Sequence, residues 1–571
     1  MSRFFVVPLL FSLLVLPFLL FFHVFPFADL PSYFFSSSIV ALGFVFLVAV
    51  NGRLKYPYFF SILAVLLFLL VFLSVLGRGG AADSRILSLY ALVVLLSGFL
   101  ACRLSRSVEN YYVLLAGIVL TGAVLQALAA VTLHYGLMHD TLGRWMLPAS
   151  FRMTGLVAQS NLLALCVFFG FVSAIYLYLS RLVSLGFLCV FSVLFGFVMA
   201  GSGSRAALIY TFFSFLVLCK FVGSGVGSRQ LKGLAFAFFL LLLGVPLYLQ
   251  VDSYLQSFLY DLGYVGRQST VQVARDYTAV GFRLSEWRKA LTMMIDNPLL
   301  GVGFGNYGQR GFWMGVHYPW AVAEGSFATH CHNLFLQLGA ELGVVAFLAA
   351  IAFAGIVIYS VARLQTSPEK WLVLSIGGAF AVNAMLEFAL WDIHFAVFLV
   401  FVLLPVFRQD RVLAIGPVVR VVAAAGVFGL WAMVSLSTAD IYKKSLVYNS
   451  GPIDQLGAFD LRVAAEDSLW GREIGLLQIT NIPIMASELA YQDLFTKQMM
   501  EWRPVNLTVL RRMQVVAVTG GWEELAVLAD AVAKNYLGDA AAIRREVLRQ
   551  PGIDRAIVAK ILDRYIPEQP K

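Results

Sequence analysis

Charge is what this chain has least of: Asp, Glu, Lys and Arg supply 13% of its 571 residues, while hydrophobic types supply 60%, and mean hydropathy is +0.84. So little charge excludes a soluble enzyme. Continuous apolar runs such as Phe59 to Leu76 and Leu234 to Leu249 are long enough to cross a bilayer, which takes about 20 residues as a helix. The short alternating segments of an outer-membrane barrel are also missing, so the spans are helical. Paired cysteines are absent too. Of Cys102, Cys166, Cys189, Cys219 and Cys331, four lie in or beside apolar runs and read as small hydrophobes, which excludes a disulfide framework and leaves Cys331 near polar residues. No His-Glu-x-x-His pattern and no convincing third ligand accompany His330 and His332, so no metal and no cofactor are expected. Gly301, Gly303 and Gly305 lack the dinucleotide spacing and read as a tight turn. The net charge of +9 reflects basic inner loops lying against anionic lipid, not nucleic-acid binding.

What remains is an all-α, polytopic helical membrane protein with about thirteen spans, centred near residues 14, 42, 67, 93, 122, 170, 192, 213, 241, 346, 380, 400 and 428. The run Phe4 to Phe22 reads as an uncleaved first span, because its apolar core exceeds a signal peptide's and no small-residue cleavage site follows it. With the N-terminus inside, the inner loops hold most of the basic residues, among them Arg53, Arg103, Arg181, Lys220, Arg363 and Arg408. The outer connections hold fewer, such as Arg78, Arg144, Arg152 and Arg205. The expected organisation is a transmembrane domain over 1–437, with a large outer loop over 251–332, and an outer helical domain over 438–571. In a bacterium the outer side is the periplasm. The tail reads as helices over Met485 to Trp502, Leu507 to Val518, Glu523 to Tyr536, Ala540 to Arg549 and Arg555 to Tyr565. This set resembles a tetratricopeptide-like module.

Chemistry gathers where the outer loop re-enters apolar sequence. Asn333, Gln337 and Glu341 are spaced by four on one helical face, and a span is expected to run inward from Asn333. Such amides serve equally as interhelical hydrogen-bond glue. Near neutral pH, His330 and His332 can take a proton from a hydroxyl, which Lys and Arg cannot readily do. Arg205 closes Met-Ala-Gly-Ser-Gly-Ser-Arg, where it can grip a phosphate bidentately or snorkel to headgroups. Earlier in the loop, Trp287, Leu291, Met294 and Ile295 follow helical spacing before Asn297-Pro298, which predicts an amphipathic helix on the membrane surface carrying Arg283 and Arg288. Gln159 and Asn161 stand at the mouth of the sixth span, where they either orient a sugar or phosphate oxygen or cap the helix. Glu387, Trp391, Asp392 and His394 crowd a short turn between the eleventh and twelfth spans.

His332-Asn333-Leu-Phe-Leu-Gln-Leu-Gly-Ala-Glu341-Leu-Gly, Arg283-x-x-x-Trp287 with Asn297-Pro298-Leu-Leu-Gly-Val-Gly, and Ser204-Arg205 together resemble the bacterial O-antigen ligase and polymerase superfamily, membrane glycosyltransferases of the GT-C class. Gln159-Ser-Asn161 and the helical tail further resemble its protein O-oligosaccharyltransferase branch, with Ser160 where that branch often has proline and Phe388 where a tyrosine is usual. The resemblance implies His332 as the essential histidine and Arg205 and Arg283 as groups engaging a diphosphate. It implies an undecaprenyl-diphosphate-linked glycan as donor and Ser or Thr of a pilin-like exported protein as acceptor. Lipid A core and a growing polysaccharide are the alternative acceptors. It also implies a place in the bacterial inner membrane. A membrane transporter is the alternative of another class, since intramembrane polar groups also line substrate paths.

Overall fold

The computed structural model describes residues 3–23, 25, 29–77, 81–138, 152–222, 228–263, 279–321, 327–407, 410–448, 457, 460–463 and 470–567. Arg78, Arg144 and Arg408 of the charge pattern lie outside them. Nine described helices are long and apolar enough to cross a membrane, from Leu30–Val50 to Pro417–Tyr448, and two shorter apolar helices, Phe5–Leu14 and Ile393–Val406, accompany them. The helices Arg205–Val222 and Pro368–Leu386 occupy two more expected centres. Large apolar side chains stay exposed on these helices, Phe68 at 72% and Val418 at 73%. Exposure of that extent suits lipid and not water.

Departures from the expected layout have local causes. The first run breaks after Leu14 and resumes as Leu16–Leu19, with proline in its first turn. Proline is tolerated there because a first-turn N–H has no intrahelical acceptor. The segments Arg53–Pro57 and Asp410–Ala414, both expected in inner loops, pair as a two-stranded antiparallel sheet. The tenth span does not begin at Asn333. Leu334–Leu342 is a separate helix, Gly343 turns the chain at φ +87°, and the apolar helix follows as Val344–Ala362.

The chain folds as two compact units. One comprises Met1–Leu67, Leu89–Gln272 and Ala352–Ser435. Small residues set its helix crossings. A Cβ on Gly196 of Leu185–Ser202 would fall 2.2 Å from the carbonyl oxygen of Leu241 on Ser228–Asp261, and one on Gly170 would fall 2.2 Å from Ala123 Cβ.

The other unit comprises Phe68–Ser88, Val273–Ile351 and Leu436–Lys571. Its tail helices, Leu489–Trp502, Asn506–Thr519, Trp522–Asn535, Ala540–Arg549 and Arg555–Tyr565, follow the apolar periodicity within a few residues. Gly520, at φ +76°, makes the turn between the second and third. Phe312 of the loop helix Tyr307–His317 sits in the tail's core with Met513, Val516, Leu528 and Val532. Asn535 donates to the Phe312 carbonyl at 3.1 Å.

Candidate functional site

In the second unit, Asn333 starts the helix Leu334–Leu342 by taking the Leu336 N–H on its side-chain oxygen at 3.1 Å, which supplies the N-cap. Gln337 and Glu341 follow on the same buried face. Gln337 accepts the Cys331 N–H at 2.8 Å and donates to Glu341 Oε1 at 3.0 Å, while Glu341 accepts the Tyr307 N–H at 3.2 Å. This face therefore clasps loop backbone on two sides. Burial pushes the Glu341 carboxyl up to about 7, against the pull of N–H donors from Gly305 and Tyr307 and of Gln337.

The three glycines form the turn docked on that helix. Gly301, Gly303 and Gly305 all have positive φ. Val302 N–H reaches the Ala340 carbonyl at 2.8 Å and Gly303 N–H the Glu341 carbonyl at 3.0 Å. A Cβ on Gly301 would lie 2.4 Å from the Glu341 carbonyl carbon. Close backbone approach therefore requires glycine at this position.

The two histidines sit just before the helix with ring centroids 4.2 Å apart and planes at 66°. His332 has φ +54°. A β-carbon-bearing residue in this left-handed region costs energy and points to a functional constraint. Phe282 approaches its ring edge-on at 6.1 Å. Burial, then the charges of His332 and Arg503, press His330 down to about 3, which keeps it a neutral imidazole at physiological pH. Burial likewise raises the Cys331 thiol, leaving it an unreactive neutral group.

Arg283 and Arg288 ride on the amphipathic helix Ala279–Asp296, the first half-buried and the second exposed. The expected apolar stripe divides: Leu291 and Ile295 stay exposed, whereas Trp287 packs with buried Ala290 and Met293. Arg288 lies over the Trp320 ring at 4.1 Å. The inner face carries a buried ion pair, Lys289 to Glu286 at 2.7 Å, and the Tyr307 hydroxyl donates to Glu286 Oε2 at 2.7 Å. That pair fixes the helix to Tyr307–His317.

The first unit holds the other predicted residues. Asn161, in the first turn of Ser160–Leu179, accepts from Arg152 Nη2 at 2.9 Å, and Arg152 Nε donates to the Ser202 carbonyl at 2.5 Å. Gln159 occupies the N-cap position, but its side chain does not cap the helix. Arg205 is exposed at the start of Arg205–Val222, after the left-handed turn at Gly203. Elsewhere in this unit Glu387 ends Pro368–Leu386, Trp391 and Asp392 follow on the short turn, and His394 stands in the first turn of Ile393–Leu403. Glu387, Asp392 and His394 are buried. The Tyr33 hydroxyl donates to Asp392 and the Tyr90 hydroxyl to the Leu390 carbonyl. His394 meets Phe18 edge-on at 4.8 Å.

The predicted residues thus form three groups: Gln159, Asn161 and Arg205; Glu387 to His394; and, in the second unit, Arg283, Arg288 and His330 to Glu341. Sequence reasoning missed Arg152, whose nearness to Thr154-Gly-Leu-Val-Ala-Gln-Ser-Asn161 was the available signal. It also missed Tyr33, which stands 359 residues from its partner and gave no signal. Among the described residues, no group of three or more His, Cys, Asp or Glu is placed to hold a metal ion.

Residues 190–351 match the family model described as O-antigen ligase. This segment is similar to the O-antigen ligase family. It contains Arg205, Arg283, Arg288 and the whole stretch His330 to Glu341, and it excludes Gln159, Asn161 and the turn from Glu387 to His394. The match supports a glycosyltransferase of the ligase and polymerase type, and with the apolar helices it supports a multi-pass inner-membrane setting. No curated protein matches the chain.

Proposed function

We propose that this protein transfers a glycan from a polyprenyl-diphosphate donor to a hydroxyl acceptor on the outer face of the bacterial inner membrane, with Ser or Thr of an exported, pilin-like protein as the acceptor. The observation that carries the reading is His332: a histidine held at φ +54° against a second imidazole, inside the segment that matches the O-antigen ligase family model. His332 accepts the proton as the acceptor hydroxyl attacks the anomeric carbon, a role worth about 10² to 10⁴ in rate. Arg205 and Arg283 stabilise the charge that develops on the departing diphosphate. Gln159, Asn161, Arg288, His330, Glu387, Trp391, Asp392 and His394 line the substrate path, and Asn333, Gln337 and Glu341 hold the backbone around His332. Because a diphosphate is already a good leaving group, the reaction needs no metal. The tail over 438–571, with Gln159, favours a protein acceptor. The family description favours lipid A core as the second reading.

The test offers a lipid-linked oligosaccharide to purified protein with pilin, lipid A core and a second glycan in competition. Wild type should label pilin, whereas His332→Ala and His332→Gly should not. The glycine variant accepts the positive φ freely, so its failure reports the lost imidazole and not a strained backbone. Label on lipid A core or on longer glycans reassigns the acceptor. Near wild-type transfer by both variants removes His332 from the mechanism, and solute uptake without any transfer makes the protein a transporter.

A further inference from the structure

Two adjacent arginines of the tail helix Asn506–Thr519 stand in opposite surroundings. Arg512 is buried and bound by two carboxylates, its Nη1 donating to Asp493 at 2.7 Å and its Nη2 to Glu524 at 2.6 Å. Arg511 has no acid. Its Nη2 donates to the carbonyls of Ile479 and Ile482, and among the described residues it makes no other hydrogen bond or ion pair. Burial presses its pKa down to about 10, whereas in Arg512 the bonds to Glu524 and Asp493 outweigh the same burial. Part of this arrangement is a helix cap, since both carbonyls close the last turn of Gly471–Asn481, where a cation suits the dipole. A cap engages one nitrogen, however, and leaves Nη1 and Nε of Arg511 without a protein acceptor.

Arg511 and Arg462 line one cleft of the tail, and no Asp or Glu lines it. Arg462 lies over the Tyr491 ring at 4.5 Å, and its Nε is buried without a hydrogen-bond partner. Glu488, outside the lining, binds its Nη2. Of the other acids on these elements, Asp493 is bound by Arg512 and Lys497 and Asp460 by Lys444, Glu473 feels the charges of Arg503 and Arg472, and Glu501 is exposed. The cleft therefore has a cation to spare and no carboxylate of its own to meet it.

Its neutral polar groups are already engaged. Gln478 accepts from the Tyr491 hydroxyl at 3.0 Å and donates to the Leu461 carbonyl at 3.1 Å, Gln492 donates to the Pro483 carbonyl at 3.0 Å, and Thr496 donates to the Gln492 carbonyl at 2.7 Å. A sugar, which needs several open donors and acceptors, is poorly served there. The rest of the wall is apolar, with Tyr491 and Phe495 stacked within 4° at 5.8 Å beside Ile479 and Ile482. One open guanidinium in an apolar wall suits a carboxylate on a short carbon chain, as an Asp or Glu side chain of a polypeptide presents it.

We propose that this cleft binds an acidic side chain of the acceptor protein, with Arg511 receiving the carboxylate and Arg462 as the second cation. This docking rests on the protein-acceptor reading above and gives the tail a recognition role in it.

The experiment uses the full-length protein in phosphatidylcholine nanodiscs and two labelled peptides of Ala, Leu and Ser that differ at one central residue, Glu in one and Gln in its twin. Fluorescence anisotropy should show wild type binding the Glu peptide about ten-fold more tightly, a preference that shrinks as salt rises. Arg511→Gln, which keeps a donor for the helix carbonyls, should bind the twins alike, and Arg511→Lys should keep most of the preference. Arg462→Gln leaves the Glu488 charge unneutralised beside the cleft, so it should cut the preference by about three-fold or more, and it serves as the test where Arg511→Gln does not fold. Equal binding of the twins by wild type, or none, overturns the proposal, as does a preference that the folded glutamine variant retains. Equal losses in Arg511→Gln and Arg511→Lys with lowered thermal midpoints also overturn it, because Arg511 is then only the cap. Displacement of the Glu peptide by glucuronate at a lower concentration than by N-acetylglutamate amide assigns the cleft to an acidic sugar and overturns it too. Wild type that keeps the preference but labels no pilin in the transfer assay sinks the protein-acceptor reading and leaves the acid-binding cleft standing.

Discussion

At the scale of single residues, Glu341 shows how one side chain takes on a different task from the one its spacing suggests. Its place four residues after Gln337 marks a polar helical face, and the structure turns that face onto the N–H of Tyr307 and, through Gln337, the N–H of Cys331. A carboxyl lifted from 4.5 to about 7 by burial favours folding when protonated. Its contribution is full below pH 4.5 and is lost as pH rises through about 7, a swing on the order of 3 kcal/mol. Glu341→Gln keeps one acceptor oxygen for the Tyr307 and Gln337 donors. Thermal midpoints between pH 4.5 and 8.5 should therefore fall for wild type and stay nearly flat for the variant. Parallel curves would show that Glu341 does not titrate in this range. His332 was legible as a candidate, because an imidazole at a loop-to-helix junction is costly to bury without purpose. Its left-handed backbone was not, since φ at one residue is set by how the flanking segments pack.

Among elements, the glycine turn and the helix Leu334–Leu342 act as one piece. The turn residues were legible as a turn from composition. Their partner was not, because the contact joins segments some forty residues apart through backbone atoms, which carry no sequence signal. Gly301 combines φ +63° with a Cβ position 2.4 Å from a carbonyl carbon that cannot move aside. Gly301→Ala should cost more than about 2 kcal/mol, and Gly263→Ala, at φ +82° in open space, about 1 kcal/mol. Differential scanning fluorimetry of the two variants checks this, and equal small shifts would show that the turn yields. The amphipathic helix Ala279–Asp296 was legible from its period. Its buried Glu286–Lys289 pair was not, because charged side chains in such a helix ordinarily face water.

For the whole molecule, the tail shares its core with a loop helix: Phe312 is fully buried among tail residues, and Lys534 donates to the Val316 carbonyl at 3.1 Å. Deleting the chain from Leu436 should leave the apolar helices membrane-inserted, expose Tyr307–His317 to protease and abolish transfer. Limited proteolysis of membranes from cells expressing either form reads this directly. Retained protection of that helix in the deletion form would mean that the tail is dispensable to it.

The sequence by itself determined the solvent, the helical class and most helix positions, and it named the candidate residues for the chemistry. These follow from hydropathy and local periodicity, which are properties of neighbouring residues. Only the tertiary structure decided that the helix after His332 stops at Gly343, that Gln337 and Glu341 bind loop backbone, and that Tyr33 meets Asp392. Each of these depends on backbone turns and on contacts between distant segments, and the energy of such contacts is carried by packing and hydrogen bonds that no local pattern encodes.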